Sequence, residues 1–473
     1  MDILKATATE LATAIRDKDI STVAVVTAYL EQIDKLNPTI NAVVTLDREN
    51  ALKQAQAADA AIAKGENWGV LHGVPITVKD TFEVAGMRTT AGHAPMRDYI
   101  STEDAPVVAK LKQAGAIILG KTNLPTLAAD YQCNNELFGK TNNPHNLDYT
   151  PGGSSGGSAA AMAAGFSALE LGSDFGGSIR VPAHFCGVCG IMPTDRRIST
   201  AGHLPPLPNK PRSIRQMMRV GVIARSVEDL QLGFKLISEA GISIAQASSQ
   251  PISKLKLAWT YGYDFLPISQ DTRTCIEKLV TRLTSAGIQL TETQPSVTQW
   301  QELLGSYSAL AFFELFMSSF KGIVAGFALG LKTEFFARTQ TDFKQGTPLS
   351  SKPDKILPPT VAKYKAVQSA RDIAMAQMND FLASYDAWLC PVAMTPAFPH
   401  CKPNQVVTVD GVNYPYLLAC GGYTMPFNYT GNPVVVIPIG KTETGLPIGI
   451  QIVGKRWQDE AVLNVAQQIT TIM

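Results

Sequence analysis

Disulfide-forming residues, long apolar runs and surplus charge are all scarce in this chain. Only 7 of its 473 residues are cysteine, an odd number, which favours a reducing cytoplasm over a disulfide framework. We expect no membrane span, because no run of about 18 uncharged apolar residues occurs. We expect no signal peptide, because the first residues lack a basic segment followed by an apolar run. Lys and Arg number 41 against 40 Asp and Glu, and this balance argues against a nucleic-acid partner.

The chain does contain enough apolar sequence for a large core, arranged as alternating strands and helices. Hydrophobic residues make up 45% of it. Strands are predicted at 72–80, 116–119, 167–171 and 220–224, helices at 105–114 and 122–129, a hairpin at 432–453 and a final helix at 457–473. This alternation is typical of an α/β sheet. Because no long linker is visible, we predict one large α/β domain with a helical insertion at about 298–385 and a surface loop at 201–215.

Two glycine-serine clusters lie close together, at 152–158 and 176–178, and each precedes a short run compatible with a helix. Glycine lets the backbone approach another atom closely, and serine supplies a hydroxyl that can attack, relay a proton or cap a helix. A glycine loop that opens a helix presents free N–H groups to an anion or oxyanion. The two clusters therefore predict the floor of an active site.

Three other motifs are weaker. Residues 115–122 match the phosphate-loop pattern, but the apolar strand predicted inside it could not present its N–H groups. Residues 153–157 match the G-x-S-x-G pattern of hydrolases, but they follow a polar loop rather than a strand. Cys186 and Cys189 form a C-x-x-C without a second pair at zinc-ligand spacing, so we predict a packed, reduced pair.

Lys79 is the unexpected residue at the end of the strand predicted at 72–80. A lysine at a strand end usually extends its charge into water. A buried lysine instead loses its charge easily, because desolvation lowers its pKa. A neutral amine beside serine-rich loops could act as a general base, and the spacing alone leaves both interpretations open.

Together, three stretches resemble the amidase signature family. They are G-V-P-I-T-V-K-D with Lys79, N-P-H-N-L-D-Y-T-P-G-G-S-S-G-G-S with Ser154, and L-G-S-D-F-G-G-S-I-R-V-P-A with Ser178. The strict signature covers about 65–230, and weaker similarity extends the expected domain over 1–473. The resemblance implies a single large α/β domain whose mixed central β-sheet is surrounded by helices.

The resemblance also implies a catalytic set of the Ser–cis-Ser–Lys type. Ser178 would be the acyl nucleophile, and neutral Lys79 would be the base. Ser154, which in the family follows a cis peptide bond, would relay the proton from Ser178 to Lys79. The oxyanion would be held by the backbone N–H groups of Phe175, Gly176, Gly177 and Ser178. Ser155 would hydrogen-bond near the relay or cap a helix, and Asp174 and Arg180 would pair to fix the turn. The resemblance implies no metal and no organic cofactor.

The implied activity is hydrolysis of a small-molecule amide. Phe175 stands where many members of the family carry Thr, and F-C-G-V-C-G-I-M-P resembles the branch of general bacterial amidases and fatty acid amide hydrolases. The apolar, aromatic segment 309–331 fits a buried helix, a homodimer interface or the wall of an acyl channel. We predict a preference for hydrophobic acyl or aryl amides.

Two other functions compete with this one. The first is the glutamine-hydrolysing subunit of an aminoacyl-tRNA amidotransferase, which would need a partner protein and would share the same catalytic residues. The second is a non-catalytic binding module with the same fold. The intact set of Lys79, Ser154 and Ser178 disfavours the second.

Overall fold

The computed structural model describes residues 1–206, 208, 214–239, 251–316 and 360–473. Over these residues the chain forms one mixed sheet of eleven strands surrounded by helices, which confirms the predicted fold class. The strands are β1 (Val43–Leu46), β2 (Pro75–Lys79), β3 (Ile117–Thr122), β4 (Glu170–Asp174), β5 (Cys189–Met192), β6 (Arg219–Ala224), β7 (Lys256–Trp259), β8 (Gln289–Glu292), β9 (Ala387–Pro391), β10 (Val434–Lys441) and β11 (Pro447–Val453). Their order across the sheet is β1-β3-β2-β4-β6-β5-β10-β11-β9-β7-β8.

The helices follow the chain around this sheet. They are α1 (Ala8–Arg16), α2 (Thr22–Ile40), α3 (Arg48–Ala63), α4 (Pro106–Gln113), α5 (Gly156–Ala163), α6 (Arg180–Cys186), α7 (Val227–Ile237), α8 (Gln270–Ser285), α9 (Val297–Phe316), α10 (Val361–Leu382), α11 (Tyr416–Gly421), α12 (Met425–Thr430) and α13 (Asp459–Ile472). Side-chain caps begin the first two helices: Ser21 accepts from the backbone of α2, and Thr7 and Glu10 form a capping box on α1.

The parallel strands β2, β3 and β4 position the site. Strand β2 lies between the other two, and every residue of the three strands is buried, as expected where both faces of a sheet are covered. Because β2 and β4 are parallel, their carboxyl ends meet at one edge of the sheet. Lys79 ends β2 and Ser173 lies near the end of β4, so the pairing brings these side chains together.

Two local predictions were wrong. The helix predicted at 122–129 does not form, because β3 continues through Thr122 and only a short 3₁₀ turn, Thr126–Ala128, follows. The strand predicted at 167–171 begins later, at Glu170, because the Ser167 hydroxyl donates to Leu169 O (2.6 Å) and accepts from Thr77 N (2.8 Å). In both places tertiary contacts outweigh local propensity.

The predicted hairpin and the predicted final helix agree with the structure. Strands β10 and β11 form the antiparallel hairpin, and α13 forms the final helix. Helices α9 and α10 occupy the two ends of 298–385, while 317–359 lies outside the described residues. In the part of the chain that is described, no helix has the length and apolarity that a bilayer crossing requires.

The weaker motifs form ordinary structure. Lys121, from the phosphate-loop match, is buried in β3, where its Nζ donates to Phe82 O (2.6 Å) and Thr89 Oγ1 (2.9 Å) and lies 3.3 Å from Asp80 Oδ1. A phosphate group would have no access to it. Cys186 and Cys189 are buried free thiols, as expected of a packed pair.

Candidate active site

The amine of Lys79 contacts three serine hydroxyls inside the protein. Its Nζ lies 2.7 Å from Ser154 Oγ, 3.0 Å from Ser155 Oγ and 3.1 Å from Ser173 Oγ. Lys79 is fully buried, and burial lowers its pKa to about 7, although the negative charge of Asp174 acts in the opposite direction. A substantial fraction of Lys79 is therefore neutral near pH 7, as a general base requires.

The first glycine-serine cluster brings Ser154 against Lys79. The Gly153–Ser154 peptide bond is cis. Glycine is needed at 153, because a Cβ there would lie 2.6 Å from the carbonyl oxygen of Asp130. Ser155 starts α5 without a side-chain cap; its hydroxyl instead accepts from Lys79 and donates to Ser173 O (3.2 Å). Of the two roles open for Ser155, the structure places it in the network around Lys79.

The second cluster places Ser178 at the same cavity as Ser154. Ser155 N donates to Ser178 O (3.0 Å), so the two clusters are joined through their backbones. Ser178 is 8% exposed. Among the described residues its hydroxyl has no hydrogen-bond partner, and Ser154 Oγ is bonded only to Lys79. The chain of hydrogen bonds thus extends from Lys79 to Ser154, with Ser178 beside it.

The turn before Ser178 has its peptide groups fixed from outside. The carbonyl oxygen of Phe175 accepts from Tyr307 Oη (3.2 Å), and that of Gly176 accepts from Tyr131 Oη (2.6 Å) and Thr424 Oγ1 (2.5 Å). In a trans peptide the N–H points away from the C=O. Each of these two carbonyls accepts a hydrogen bond from a hydroxyl. The N–H of the same peptide group therefore points away from that hydroxyl.

One of the four predicted oxyanion donors is already in use. Gly177 N donates to Asp174 Oδ1 (2.7 Å). The N–H groups of Phe175, Gly176 and Ser178 have no intramolecular partner in the described chain, and these three residues line the cavity whereas Gly177 does not. This contact narrows the predicted donor set to Phe175, Gly176 and Ser178.

Asp174 and Arg180 form a buried, bidentate ion pair, at 2.9 Å between Nη2 and Oδ1 and 3.0 Å between Nε and Oδ2. Burial alone would raise the pKa of Asp174, but the charge and hydrogen bonds of Arg180 outweigh burial and lower that pKa to about 2. Asp174 also accepts from Ile179 N, and Arg180 also donates to Thr424 O and Gln451 Oε1. The pair therefore ties the turn to α6 and to two distant segments.

Two residues of this network, Ser173 and His203, were not predicted from the sequence. Ser173 Oγ lies 2.8 Å from His203 Nε2. Ser173 lies inside the third signature stretch, and the meeting of two parallel strand ends could have identified it. The surface loop predicted at 201–215 is wrong at His203. This side chain is only 4% exposed, because its neighbour Leu204 donates its backbone N–H to Thr81 O (2.7 Å).

The cavity above the serines is largely apolar. Its polar side chains include Asp130, His203 and the three serines Ser154, Ser173 and Ser178. Its apolar wall includes Leu127, Phe175, Ile214, Met218 and Leu315. Burial raises the pKa of Asp130 to about 6. Leu315 belongs to the apolar segment 309–331, of which 317–331 lies outside the described residues.

Comparison with known proteins identifies relatives along nearly the whole chain. The family model described as Amidase matches residues 24–463. A glutamyl-tRNA(Gln) amidotransferase subunit from Carboxydothermus hydrogenoformans is 33% identical, over 98% of this chain and 97% of that protein. An acylamidase from Rhodococcus erythropolis is 30% identical, over 98% and 95%. A solved structure described as a crystal structure of amidase has a TM-score of 0.80 and 29% identity, over 98% and 99%.

The family model and these relatives each extend over nearly the whole chain, and not over the glycine-serine clusters alone. The match therefore includes the strands that carry Lys79 and Ser173 as well as the turn before Ser178. This chain belongs to the amidase signature family, and it is an enzyme that hydrolyses carbon–nitrogen amide bonds.

Proposed function

We propose that this enzyme cleaves a small-molecule carboxylic amide to an acid and an amine or ammonia through an acyl-enzyme on Ser178. The observation that carries the proposal is the hydrogen bond between buried Lys79 and Ser154, 2.7 Å long, beside the cavity that Ser154 shares with Ser178. A serine hydroxyl is a weak nucleophile until a nearby base can take its proton. Lys79 has the burial and the position to be that base.

In the proposed acylation, Ser178 Oγ attacks the amide carbon as its proton passes to Ser154, whose own proton passes to Lys79. The carbonyl electron pair moves onto oxygen, where the N–H groups of Phe175, Gly176 and Ser178 stabilise the negative charge. The C–N bond then breaks, and the leaving nitrogen takes a proton from Ser154 while Lys79 returns one to Ser154. Water repeats the sequence on the acyl-enzyme, releasing the acid and restoring Ser178.

This scheme needs a hydrogen bond from Ser178 to Ser154 that forms when substrate binds. Catalytic hydrogen bonds are often long in a substrate-free site and shorten in the substrate complex. The hydroxyl of Ser178 is free to make it, because in the described chain no other group holds it.

Labelling with a fluorophosphonate followed by intact-mass measurement tests the proposal. We expect one adduct on the wild type and none on Ser178→Ala. Ser158→Ala is the matched control, because this buried serine of the first glycine-serine cluster bonds Thr122 rather than Lys79, and it should label like the wild type. An adduct that persists in Ser178→Ala, or no adduct on folded wild type, would contradict the proposal.

The apolar wall supports a preference for hydrophobic acyl or aryl amides. Each methylene buried against it contributes about 0.8 kcal/mol, or roughly fourfold in kcat/KM. We expect kcat/KM to rise from acetamide to hexanamide, and Leu315→Ala to reduce the rise while leaving acetamide hydrolysis unchanged. The kcat/KM values are measured by product release, and equal values across the series would contradict this preference.

A second candidate is the glutamine-hydrolysing subunit of an aminoacyl-tRNA amidotransferase, favoured by the similarity to the Carboxydothermus hydrogenoformans protein. Free glutamine carries a carboxylate, which binds best to Arg or Lys. Among the described residues the cavity is lined by Asp130 and by neither Arg nor Lys, which favours an amide without a carboxylate. Copurification with a partner protein and glutamine-dependent transfer would instead favour the amidotransferase subunit over the independent amidase.

A further inference from the structure

The neutral amine of Lys79 has two N–H donors and one lone pair, yet three serine hydroxyls surround it. Two of the serines can therefore accept hydrogen bonds from the amine, and the third must donate its own proton to the lone pair. Base catalysis through Ser154 requires that Ser154 be the donor. Which serine donates depends on where the other two hydroxyl protons go.

The proton of Ser155 is already placed. Its Oγ donates to the backbone carbonyl of Ser173 at 3.2 Å and accepts from Lys79 at 3.0 Å. Ser155 is therefore an acceptor for the amine, and it does not compete with Ser154 for the lone pair.

The proton of Ser173 depends on His203, whose Nε2 lies 2.8 Å from Ser173 Oγ. We propose that His203 accepts this proton and so acts as a positioning residue, which leaves the lone pair of Lys79 to Ser154. Without an acceptor at 203, the Ser173 hydroxyl would turn toward Lys79 at 3.1 Å and occupy the lone pair. The inference rests on the proposed role of Lys79 as base.

The segment that follows Lys79 also holds the imidazole of His203 in place. Directly after β2, Thr81 O accepts from Leu204 N (2.7 Å) and Glu83 N donates to Gly202 O (2.8 Å). Between them, the ring of Phe82 meets His203 edge-on, with centroids 5.0 Å apart. The pairing of these two segments holds His203 at a set distance from Lys79.

Kinetics of two substitutions at 203 test the role. We expect His203→Leu to lower kcat about 10-fold to 100-fold with little change in KM, because the base is misdirected while substrate binding is kept. His203→Gln, whose side-chain oxygen can accept from Ser173, should recover most of the loss. Wild-type kcat in His203→Leu, or equal losses in both variants, would overturn the inference.

His203 also lines the cavity, so a direct effect on substrate must be separated from the effect through Ser173. In a Ser173→Ala background the competing hydroxyl is gone, and His203→Leu should then cause no further loss of kcat. A full loss in that background would show that His203 acts directly, against the inference. The two failures can be told apart. The His203 variants test only the positioning role, whereas wild-type activity in Lys79→Met would overturn the proposed function itself.

Discussion

Replacing Lys79 with methionine is expected to lower kcat by at least about 10⁴-fold, because no other base in the described part of the chain contacts Ser154. Methionine is close to lysine in length and apolar, so it fills the buried site without a charge and should preserve the fold. Lys79→Arg should be as inactive, since a guanidinium does not lose its proton in proteins. Thermal unfolding of both variants provides the control for folding, and activity within tenfold of wild type would refute Lys79 as the base.

The pH profile provides an independent test of the same base. Burial lowers the pKa of Lys79 to about 7, against the opposing charge of Asp174, and only the neutral amine can accept the proton. We therefore expect kcat/KM to rise about tenfold per pH unit below pH 7 and to level off above it. The residual activity of Lys79→Met should lack this limb. A flat profile from pH 5.5 to 8.5 in the wild type would mean that Lys79 is neutral throughout or is not the base.

The sequence was informative where chemistry and local structure coincide. The buried run ending at Lys79 predicted a strand with an amine at its end, and the glycine-serine clusters predicted backbone turns at Ser154 and Ser178. Only the resemblance to a family indicated that Lys79, Ser154 and Ser178 act together. Without it, the position of Lys79 left a solvent-exposed cation and a buried base equally open.

The parts that could not be predicted depend on contacts between distant segments. His203 joins Ser173 because residues 202–204 pair with 81–83, and nothing in the spacing of either segment indicates that pairing. The hydrogen bond that occupies the N–H of Gly177 depends on where the carboxylate of Asp174 lies, which sequence does not give. Local propensity also failed at 122–129, where β3 pairs with its neighbour through Thr122 and only the short 3₁₀ turn Thr126–Ala128 follows.

Removing the cation of the buried ion pair should have the largest effect on stability. We expect Arg180→Met to lower the free energy of unfolding by about 3–5 kcal/mol, because Asp174 would be left charged and without its cation in a fully buried site. Arg48→Met is the matched control: Arg48 pairs with Asp34 at the surface, and its loss should cost about 0–1 kcal/mol. Chemical denaturation of wild type and both variants measures the difference.

The pH dependence of this loss identifies its cause. In the wild type the pKa of Asp174 is lowered to about 2, so the pair stabilises the fold above the ordinary pKa of 3.8 and loses that contribution as pH falls toward 2. In Arg180→Met, burial is no longer opposed by Arg180, and the pKa of Asp174 should rise. Asp174 then takes up a proton on folding, so the deficit relative to wild type should be larger at pH 7 than at pH 4.5. A deficit that is the same at both pH values would point to lost packing of the arginine side chain rather than to an unpaired carboxylate.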